Sequence, residues 1–311
     1  MSDDGAARAP GDRHNPRVLV VGDVIDDLVV RPHGPIRPAT DTPATITPSP
    51  GGSGANAAVW LARAGVRVRF VGRVGAADLA RHAGLLRAAK VEPVLVPDAR
   101  RPTGRIVVLL DTGGERTMLT DRGANLGLRA ADLPDRLLDD VDVVHISGYS
   151  LFDAAVRDAV LGLGWRARER GLRICVDPGS VGFLSEVGPR RFLDWIAGAD
   201  LLRPNLAEAR LLATGAGSAT GALEALLDHV PLLAVTRGPD GASVLGRGQA
   251  PVEVPALPVE VVDTTGAGDA FTGGFLAAWL AGTDLAQAAR DGVASAAEAI
   301  TQQGARPPRS R

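Results

Sequence analysis

The chain has 311 residues, of which 45% are hydrophobic and 23% are charged, and its formal net charge is −2. This length and composition predict one large or two ordinary globular domains, and a charge near zero excludes a general attraction to nucleic acid or membrane surfaces. The single cysteine, Cys175, excludes disulfides and a cysteine metal site within this chain.

Residues 1–16 are polar and rich in Gly, Ala and Asp, which predicts a disordered tail. No apolar run reaches the roughly 20 residues that a bilayer span needs. We therefore expect a cytoplasmic protein that has neither a membrane nor a nucleic-acid partner.

The first predicted strand, 17–21, ends at Gly22 and is followed by Asp23, Asp26 and Asp27. Ligands of open α/β sheets bind beyond the carboxyl ends of the strands, which is where these carboxylates would lie. Aspartates also form turns, so Asp23 and Asp26 have a purely structural explanation as well.

Residues 28–50 are rich in Pro and Thr and predict irregular strands that leave the main sheet and return. Strand patterns at 105–110 and 116–120 are joined by a predicted hairpin turn at 111–115. Together these segments predict a small sheet that projects from the core and covers a binding site, excluding water from it. Arg105 and Arg122 are candidate contacts for a polar or anionic ligand group, although either could equally be a solvated surface arginine.

Between these segments, a glycine-rich string at 51–56 precedes a helix pattern at 57–64. By itself it could be a flexible linker with a helix cap.

Farther along, strand and helix patterns alternate at 141–147, 153–170, 172–177, 190–197 and 201–202. Such alternation is typical of βαβ units in a parallel sheet. His145 and Cys175 lie inside apolar strand patterns, so we expect both side chains in the core.

Two strings in the second half of the chain follow strand patterns. In the first, Asn205 can cap a helix whose first turn contains Glu208. The second, 236–241, is glycine-containing and follows a buried-strand pattern at 232–235. A short hairpin is predicted around 246–249, and a long helix at 284–300.

The stretch 259–274 has the strongest functional pattern. Its valine-rich run, 259–262, predicts a strand, Gly266 and Gly268 predict a tight turn, and 271–280 predicts a helix. Unpaired amides at a helix start attract anions, and the helix dipole adds to the attraction. Asp269 lies in this site, either as a helix cap or as a base that takes a proton from a hydroxyl attacking phosphorus.

The string D-T-T-G-A-G-D-A-F at 263–271 resembles the C-terminal signature of the ribokinase-like (PfkB) sugar kinase family. The string GG-x-GAN at 51–56, continued through 72–78, resembles the N-terminal signature of that family. P-N-x-x-E at 204–208 and V-T-x-G-x-x-G at 235–241 resemble two more of its motifs. The resemblance covers residues 17–308, with the motifs in family order.

The resemblance implies a three-layer αβα core with a mostly parallel central sheet and a small β-sheet lid. The kinase domain would be 17–311, with lid strands from about 28–50 and 103–122. The implied activity is transfer of the γ-phosphoryl group of ATP to a sugar hydroxyl, with ATP and Mg²⁺ required. A lid with exposed strand edges also suggests a homodimer that pairs lid to lid.

The resemblance also implies roles for individual residues. Asp269 would be the general base, and the amides of Gly266, Ala267 and Gly268 would stabilise the transferred phosphoryl group. The candidate acceptor-binding residues are Asp27, Gly51, Gly52, Asn56, Arg105 and Asp269. The candidate nucleotide-binding residues are Asn205, Thr236, Gly238, Gly241, Gly266 and Gly268.

Cations are implied at two places. Glu208 would hold the water shell of Mg²⁺, which keeps its waters and needs few protein carboxylates. Asp263 and Thr265 would hold a monovalent cation, K⁺ in the first instance, together with the loop at 301–307. The chain has Pro308 where ribokinase has a serine ligand for that cation.

The sequence also argues against three alternatives for the acceptor and the activity. Ribokinase has a ribose-binding glutamate after the strand that matches 141–147, and this chain reads Ile-Ser-Gly-Tyr there, which argues against ribose. A nucleoside kinase would need an aromatic surface near the lid, and the segments 28–50 and 105–120 contain no Phe, Tyr or Trp. A non-catalytic sugar- or nucleotide-binding regulator would have no need of Asp269 within an intact glycine turn.

Overall fold

The structure is a computed structural model that describes residues 16–110 and 116–308. The turn predicted at 111–115 lies outside the described residues, as does the predicted tail except for Pro16. The described strands follow the hydrophobic runs of the sequence. In chain order they are β1 (Arg17–Val21), β2 (Ile25–Pro32), β3 (Ala44–Gly51), β4 (Arg67–Gly75), β5 (Val91–Asp98), β6 (Gly104–Leu110), β7 (Arg116–Asp121), β8 (Val143–Ser147), β9 (Arg173–Asp177), β10 (Leu201–Leu202), β11 (Leu232–Thr236), β12 (Ala242–Gly246) and β13 (Val252–Val254).

Several of the described helices begin at a capping side chain or at a glycine. Asp153 and Asp284, for example, accept hydrogen bonds from first-turn amides of their helices. The helices are α1 (Ser53–Arg63), α2 (Leu79–Ala88), α3 (Ala154–Glu169), α4 (Val181–Val187), α5 (Pro189–Trp195), α6 (Leu206–Gly215), α7 (Ala267–Leu280) and α8 (Leu285–Ile300). In the part of the chain described, none of them combines the length and hydrophobicity of a membrane span.

Nine of the described strands form one large sheet in the order β13-β12-β11-β10-β9-β8-β1-β4-β5. The strands from β11 through β8 and β1 to β5 pair in parallel, and β12 and β13 add an antiparallel edge. The long apolar runs of the parallel strands fit this placement, because both faces of a parallel sheet are covered by helices.

Strand β1 shows the three layers most directly. Leu19 and Val21 point into a core shared with α3, α4, α5 and α6. Val18 and Val20 point into the opposite core, which contains residues of α1, α7 and α8. Alternate residues of one strand therefore serve two helical layers. This arrangement confirms the predicted three-layer α/β core with a mainly parallel sheet.

The other four strands form a separate small sheet in the order β3-β2-β6-β7, which we call the lid. The lid combines two antiparallel pairs with a central parallel pair, β2 with β6. Both of its halves come from the predicted excursions, and the strands run slightly beyond the predicted 28–50 segment at its start.

Some element predictions were wrong in position. The valine-rich run 259–262 is not a strand, because β13 ends at Val254 and the chain then crosses irregularly to Gly266. The helix expected at 57–64 begins already at Ser53. Helix α4 was not predicted at all. The cores around His145 and Cys175 are as expected, with both side chains buried.

Candidate active site

The start of helix α7 is the centre of the site. Gly266 has φ 77°, a left-handed conformation that glycine adopts without strain, and it caps the helix. A Cβ at this position would lie 2.6 Å from the carbonyl oxygen of Ala305, so a larger residue does not fit. Gly266 and Gly268 carry no side chain, and the first-turn amides of a helix have no partner within it, so this helix start is a candidate anion site.

Two cavities meet at this helix start. The lid cavity, of about 470 Å³, lies between the lid and the core, and both Gly266 and Asp269 line it. The loop cavity, of about 640 Å³, is lined by residues 256–261 and by the next residues of α7, Ala267 and Gly268. A group held at the helix start therefore lies between two separate compartments.

Asp269 is 9% exposed and faces the lid cavity from the first turn of α7. Its two carboxylate oxygens accept hydrogen bonds from Ser53 Oγ at 2.8 Å and from Asn56 Nδ2 at 3.1 Å. Burial raises the pKa of Asp269 to about 6, while these two hydrogen bonds and the charge of Arg203 oppose the rise. A carboxylate with a pKa in this range can act as a proton acceptor near neutral pH.

The core side of the lid cavity is polar. Asp27 on β2, and Gly52 and Asn56 at the start of α1, line it together with Asp269, so the structure brings these candidate acceptor-binding residues together. Gly51 lies directly behind Asp27, and a Cβ there would come within 2.1 Å of Asp27 Oδ2. Burial, with a smaller contribution from the charge of Asp23, raises the pKa of Asp27 to about 7.

Arg105 is a correction to the predicted site. Ile106 and Val108 line the lid cavity, and side chains of a strand alternate between its faces. Arg105 therefore points to the outer face of the lid, where it is exposed and pairs in register with Asp121. Arg122, the other candidate arginine, does line the lid cavity.

The far wall of the lid cavity is aromatic, which the sequence analysis missed. Tyr149, just after β8, and Phe183 of α4 both line it, with ring centroids 6.1 Å apart in an edge-to-face arrangement. The Arg122 guanidinium lies 5.4 Å from the Tyr149 ring centroid. These rings come from outside the lid strands, and α4 had not been predicted, so the absence of aromatic residues from the lid was a misleading signal.

The loop cavity gathers the predicted nucleotide-binding residues. Its lining residues named in the predictions are Asn205, Thr236, Gly238, Gly241 and Gly268. Its other walls are apolar and include Phe271, Val293 and Ile300, with Leu257, Val259 and Val261 from the irregular crossing. The cavity therefore offers an apolar compartment for a flat ring system and amides for an anion at its inner end. Gly266 is the one predicted nucleotide ligand that lines the lid cavity instead.

Glu208 is 4% exposed and lines neither cavity. Its Oε2 accepts from the Asn205 amide at 2.9 Å, and its own amide donates to Asn205 Oδ1 at 2.9 Å. This reciprocal pair is the helix-capping alternative that the sequence left open. Burial raises the pKa of Glu208. Arg203, which is paired with Asp177, lies close by.

Asp263 organises the loop in front of α7. Its Oδ1 accepts from the amide and the hydroxyl of Thr265, at 2.9 and 2.6 Å, and its Oδ2 accepts from the Gly304 amide at 3.0 Å. Across residues 16–110 and 116–308, no three His, Cys, Asp or Glu side chains gather as a metal site.

This chain is similar to one family of known proteins over nearly its whole length. The profile of the pfkB family carbohydrate kinases matches residues 15–311. The bifunctional protein HldE of Rhodopseudomonas palustris (strain BisB5) is 31% identical over 307 residues, covering 92% of this chain and 60% of that protein. The chain thus spans about 60% of the length of the first curated relatives. The ATP-dependent ribose-1-phosphate kinase of Halopiger xanaduensis is 31% identical over 302 residues, covering 93% of this chain and 94% of that protein.

Two solved structures show how closely the fold agrees. The adenosine kinase of Sinorhizobium meliloti has a TM-score of 0.84 at 27% identity, covering 94% of this chain and 96% of that one. A protein from E. coli described as a ribokinase II, in complex with ATP and Mg²⁺, has a TM-score of 0.83 at 26% identity. The match covers 95% of this chain and 96% of that one.

Proposed function

The chain belongs to the PfkB family of carbohydrate kinases, and from this premise we propose that it transfers the γ-phosphoryl group of ATP to a hydroxyl group of a sugar-type acceptor. The observation that carries the proposal is the placement of Asp269. Its carboxylate faces the lid cavity, while the residues before it, Ala267 and Gly268, line the loop cavity. The acceptor would occupy the lid cavity, and ATP would occupy the loop cavity.

In the proposed reaction the acceptor hydroxyl gives its proton to the Asp269 carboxylate as its oxygen bonds to the γ-phosphorus. The bond between that phosphorus and the bridging oxygen breaks, and ADP leaves with the electron pair. The amides of Gly266, Ala267 and Gly268 stabilise the negative charge on the moving phosphoryl group. Asp27, Gly52 and Asn56 orient the acceptor, and the lid excludes water.

Cations are a proposal at both predicted places. Mg²⁺ would neutralise charge on the phosphate oxygens, and the ATP and Mg²⁺ complex of the related E. coli protein supports the need for both. Glu208 is proposed to hold part of the water shell of that Mg²⁺. Asp263 and Thr265 are proposed as ligands of K⁺. A comparison of turnover in K⁺ with turnover in a bulky organic cation at equal ionic strength tests that role.

The first test measures ADP release from ATP and Mg²⁺ with ribose, fructose, 2-keto-3-deoxygluconate, sugar phosphates including ribose 1-phosphate, and adenosine. We expect one strong acceptor, and Asp269→Asn should lower its turnover about a hundredfold or more. Asp158→Asn, which removes an exposed carboxylate of α3, is the matched control. Near wild-type turnover in Asp269→Asn would rule out the base assignment, and failure to bind ATP would rule out a kinase. ATP binding with silence across the panel would favour the non-catalytic regulator.

A nucleoside acceptor is the second candidate, and the Tyr149 and Phe183 wall of the lid cavity favours it. A base could lie on this aromatic surface while its ribose contacts Asp27 and Asn56. One similar structure is an adenosine kinase. If this candidate is right, Phe183→Leu should raise the KM for adenosine far more than the KM for a free sugar.

Arg122 brings a positive charge to the aromatic wall of the lid cavity, which supports an acceptor with a polar or anionic group. The Arg122 Nε is buried and has no hydrogen-bond partner among the described residues. The panel resolves this point, because it pairs ribose with ribose 1-phosphate. A preference for the phosphorylated sugar that Arg122→Gln abolishes would assign the contact to Arg122.

Assembly through the lid is also part of the proposal. The outer face of the lid carries an apolar stripe formed by Leu28, Val30, Ile46, Val107, Leu109 and Leu119. Ile46 and Leu119 are 59% and 57% exposed. A second copy of the chain could cover this stripe with its own lid, which also pairs the exposed strand edges.

A further inference from the structure

The loop that follows α8 packs beside the start of α7 and is held there by several contacts. The indole Nε1 of Trp60 donates to the carbonyl of Ala305 at 2.9 Å, and the amide of Gly304 donates to Asp263 Oδ2 at 3.0 Å. Ala305 also packs against Gly266 at the start of α7. These contacts fix the backbone on both sides of Ala305, so the next side chain, Arg306, has a defined direction.

Arg306 reaches from this loop to two acceptor-binding residues. Its Nε donates to Asn56 Oδ1 at 2.9 Å, and its Nη2 donates to the carbonyl oxygen of Gly51 at 2.9 Å. A guanidinium has donors only, so it can accept nothing in return. The oxygen end of the Asn56 amide must therefore face Arg306.

The other end of the same amide donates to the proposed base. Asn56 Nδ2 lies 3.1 Å from Asp269 Oδ2. An amide that gives its oxygen to Arg306 has only its NH₂ group left for Asp269. Polarisation of the amide by a charged donor also strengthens the hydrogen bond on its far side. The three side chains form one chain of donors and acceptors.

We propose that Arg306 is a positioning residue that holds the donor end of Asn56 on Asp269 and the backbone of Gly51 against Asp27. This role rests on the proposed function of the lid cavity, and Arg306 itself lies outside the motifs 51–56 and 263–271. Arg306 thereby links the loop after α8 to both halves of the acceptor site.

Charge supports the same role. The charge of Arg306 lowers the pKa of Asp27, against the larger effect of burial. The hydrogen bond that Asn56 donates lowers the pKa of Asp269, again against burial. Other charged groups also act on these two carboxylates and would remain in a variant of Arg306. They are Asp23, Asp26 and Arg203.

The test compares Arg306→Gln and Arg306→Lys with Arg63→Gln. Arg63 and Arg306 both line a third cavity, as does Lys90, and among the described residues Arg63 forms an ion pair with Glu298. We expect Arg306→Gln to lower kcat/KM at pH 7 by about ten- to hundredfold. The acidic limb of its pH profile should move up by about one pH unit, because a nearby positive charge and a donated hydrogen bond are both lost. Arg63→Gln should leave the rate and the profile unchanged.

A double-mutant cycle separates positioning from a general loss of structure. In an Asn56→Ala background, Arg306→Gln should cause a smaller further loss than it causes alone, since one of its two contact partners is already gone. Arg306→Lys, which keeps the charge but not the forked contact, should recover part of the pH profile. A loss that is equal at every pH and fully additive with Asn56→Ala would overturn the proposal.

A readout without turnover keeps this inference distinct from the proposed function. Carboxyl ¹³C shifts of labelled aspartates can be titrated in the wild type and in Arg306→Gln, with Asp27→Asn and Asp269→Asn for assignment. We expect both carboxyl pKa values to rise in Arg306→Gln, whichever acceptor the protein uses. Unchanged carboxyl pKa values would overturn the role of Arg306 even in an active kinase, whereas raised values in a protein without kinase activity would overturn only the proposed function.

Discussion

Two of the carboxylates that line the lid cavity, Asp27 and Asp269, differ in how the protein holds them. Asp269 accepts hydrogen bonds from Ser53 and Asn56, and these partly offset the effect of burial. Within the described residues, Asp27 has no hydrogen-bond partner, and its pKa rises further, to about 7. Asp27 is thus left with its oxygens available for acceptor hydroxyls, while Asp269 is oriented by protein donors.

These pKa values predict an acidic limb in the rate profile. Asp269 must be ionised to take a proton, and Asp27 accepts hydrogen bonds from hydroxyls best as a carboxylate. Because both pKa values are raised, protonation begins near neutral pH. We therefore expect kcat/KM to fall as the pH is lowered through about 7 and then through about 6. Because the two carboxylates interact, the two steps of the pH profile report pKa values of the pair rather than of either residue alone. In Asp27→Asn the remaining activity should lose the upper step. A flat profile between pH 5 and 8 would contradict the assignment.

Among individual residues, the sequence allowed us to name the site candidates whose placement depends on nearby residues in the chain. Gly52, Gly266 and Asp269 lie in short strings whose turn-and-helix conformation depends on near neighbours. Arg306 and Tyr149 were missed because their roles depend on contacts with residues far away in the chain. Arg105 was placed wrongly because a shift of one residue in a strand reverses the face of a side chain, and the register of the lid cannot be read from one sequence.

Among the elements, the crossing from β13 to Gly266 departs most from its prediction. A valine-rich run normally favours a buried strand. Here Val259, Val261 and Val262 are 37%, 58% and 55% exposed, and the first two line the loop cavity. Exposed apolar side chains at a cavity rim suit contact with a ligand ring, which explains why this composition occurs outside the sheet.

The two neighbouring valines allow a matched test of that role. Val261→Asp places a charge on the wall of the loop cavity and should raise the KM for ATP about tenfold, with a smaller effect on kcat. Val262→Asp makes the same change at an equally exposed position that does not line the cavity, so its KM should stay near wild type. Equal KM values for the two variants would remove the crossing from the nucleotide site. Thermal unfolding of both checks that the fold is intact.

For the whole molecule, the alternation of strand and helix patterns was enough to predict a parallel sheet with helices on both faces. The order of the strands was not predictable, because adjacent strands in this sheet are often distant in sequence. Val18, for example, pairs with Val68 on one side and Val143 on the other. The position of α4 across the lid cavity from the lid strands was also not predictable, since nothing local in the sequence links those segments.

The apolar outer face of the lid gives a prediction about assembly. Leu119→Glu puts a charge on the β7 end of the stripe and should shift the protein from dimer to monomer in light scattering. Trp165→Glu, at a 63% exposed position on α3 away from the lid, is the control and should leave the mass unchanged. Both changes are at the surface, so the free energy of unfolding should vary by only about 0.5 kcal/mol. A wild-type protein that is monomeric at micromolar concentration would contradict lid pairing.

The central position of β1 has a consequence for how the molecule reaches its native state. This strand supplies side chains to both cores, yet it gains its second neighbour only when β8 is in place. Closing so long a loop carries an entropic penalty before any contact compensates for it, and such non-local pairing slows folding. We therefore expect refolding to be slow, with the half formed by β1, β4 and β5 exposing an unpaired edge until β8 arrives. During that interval the edge of β1 would be the place where chaperones or other chains bind.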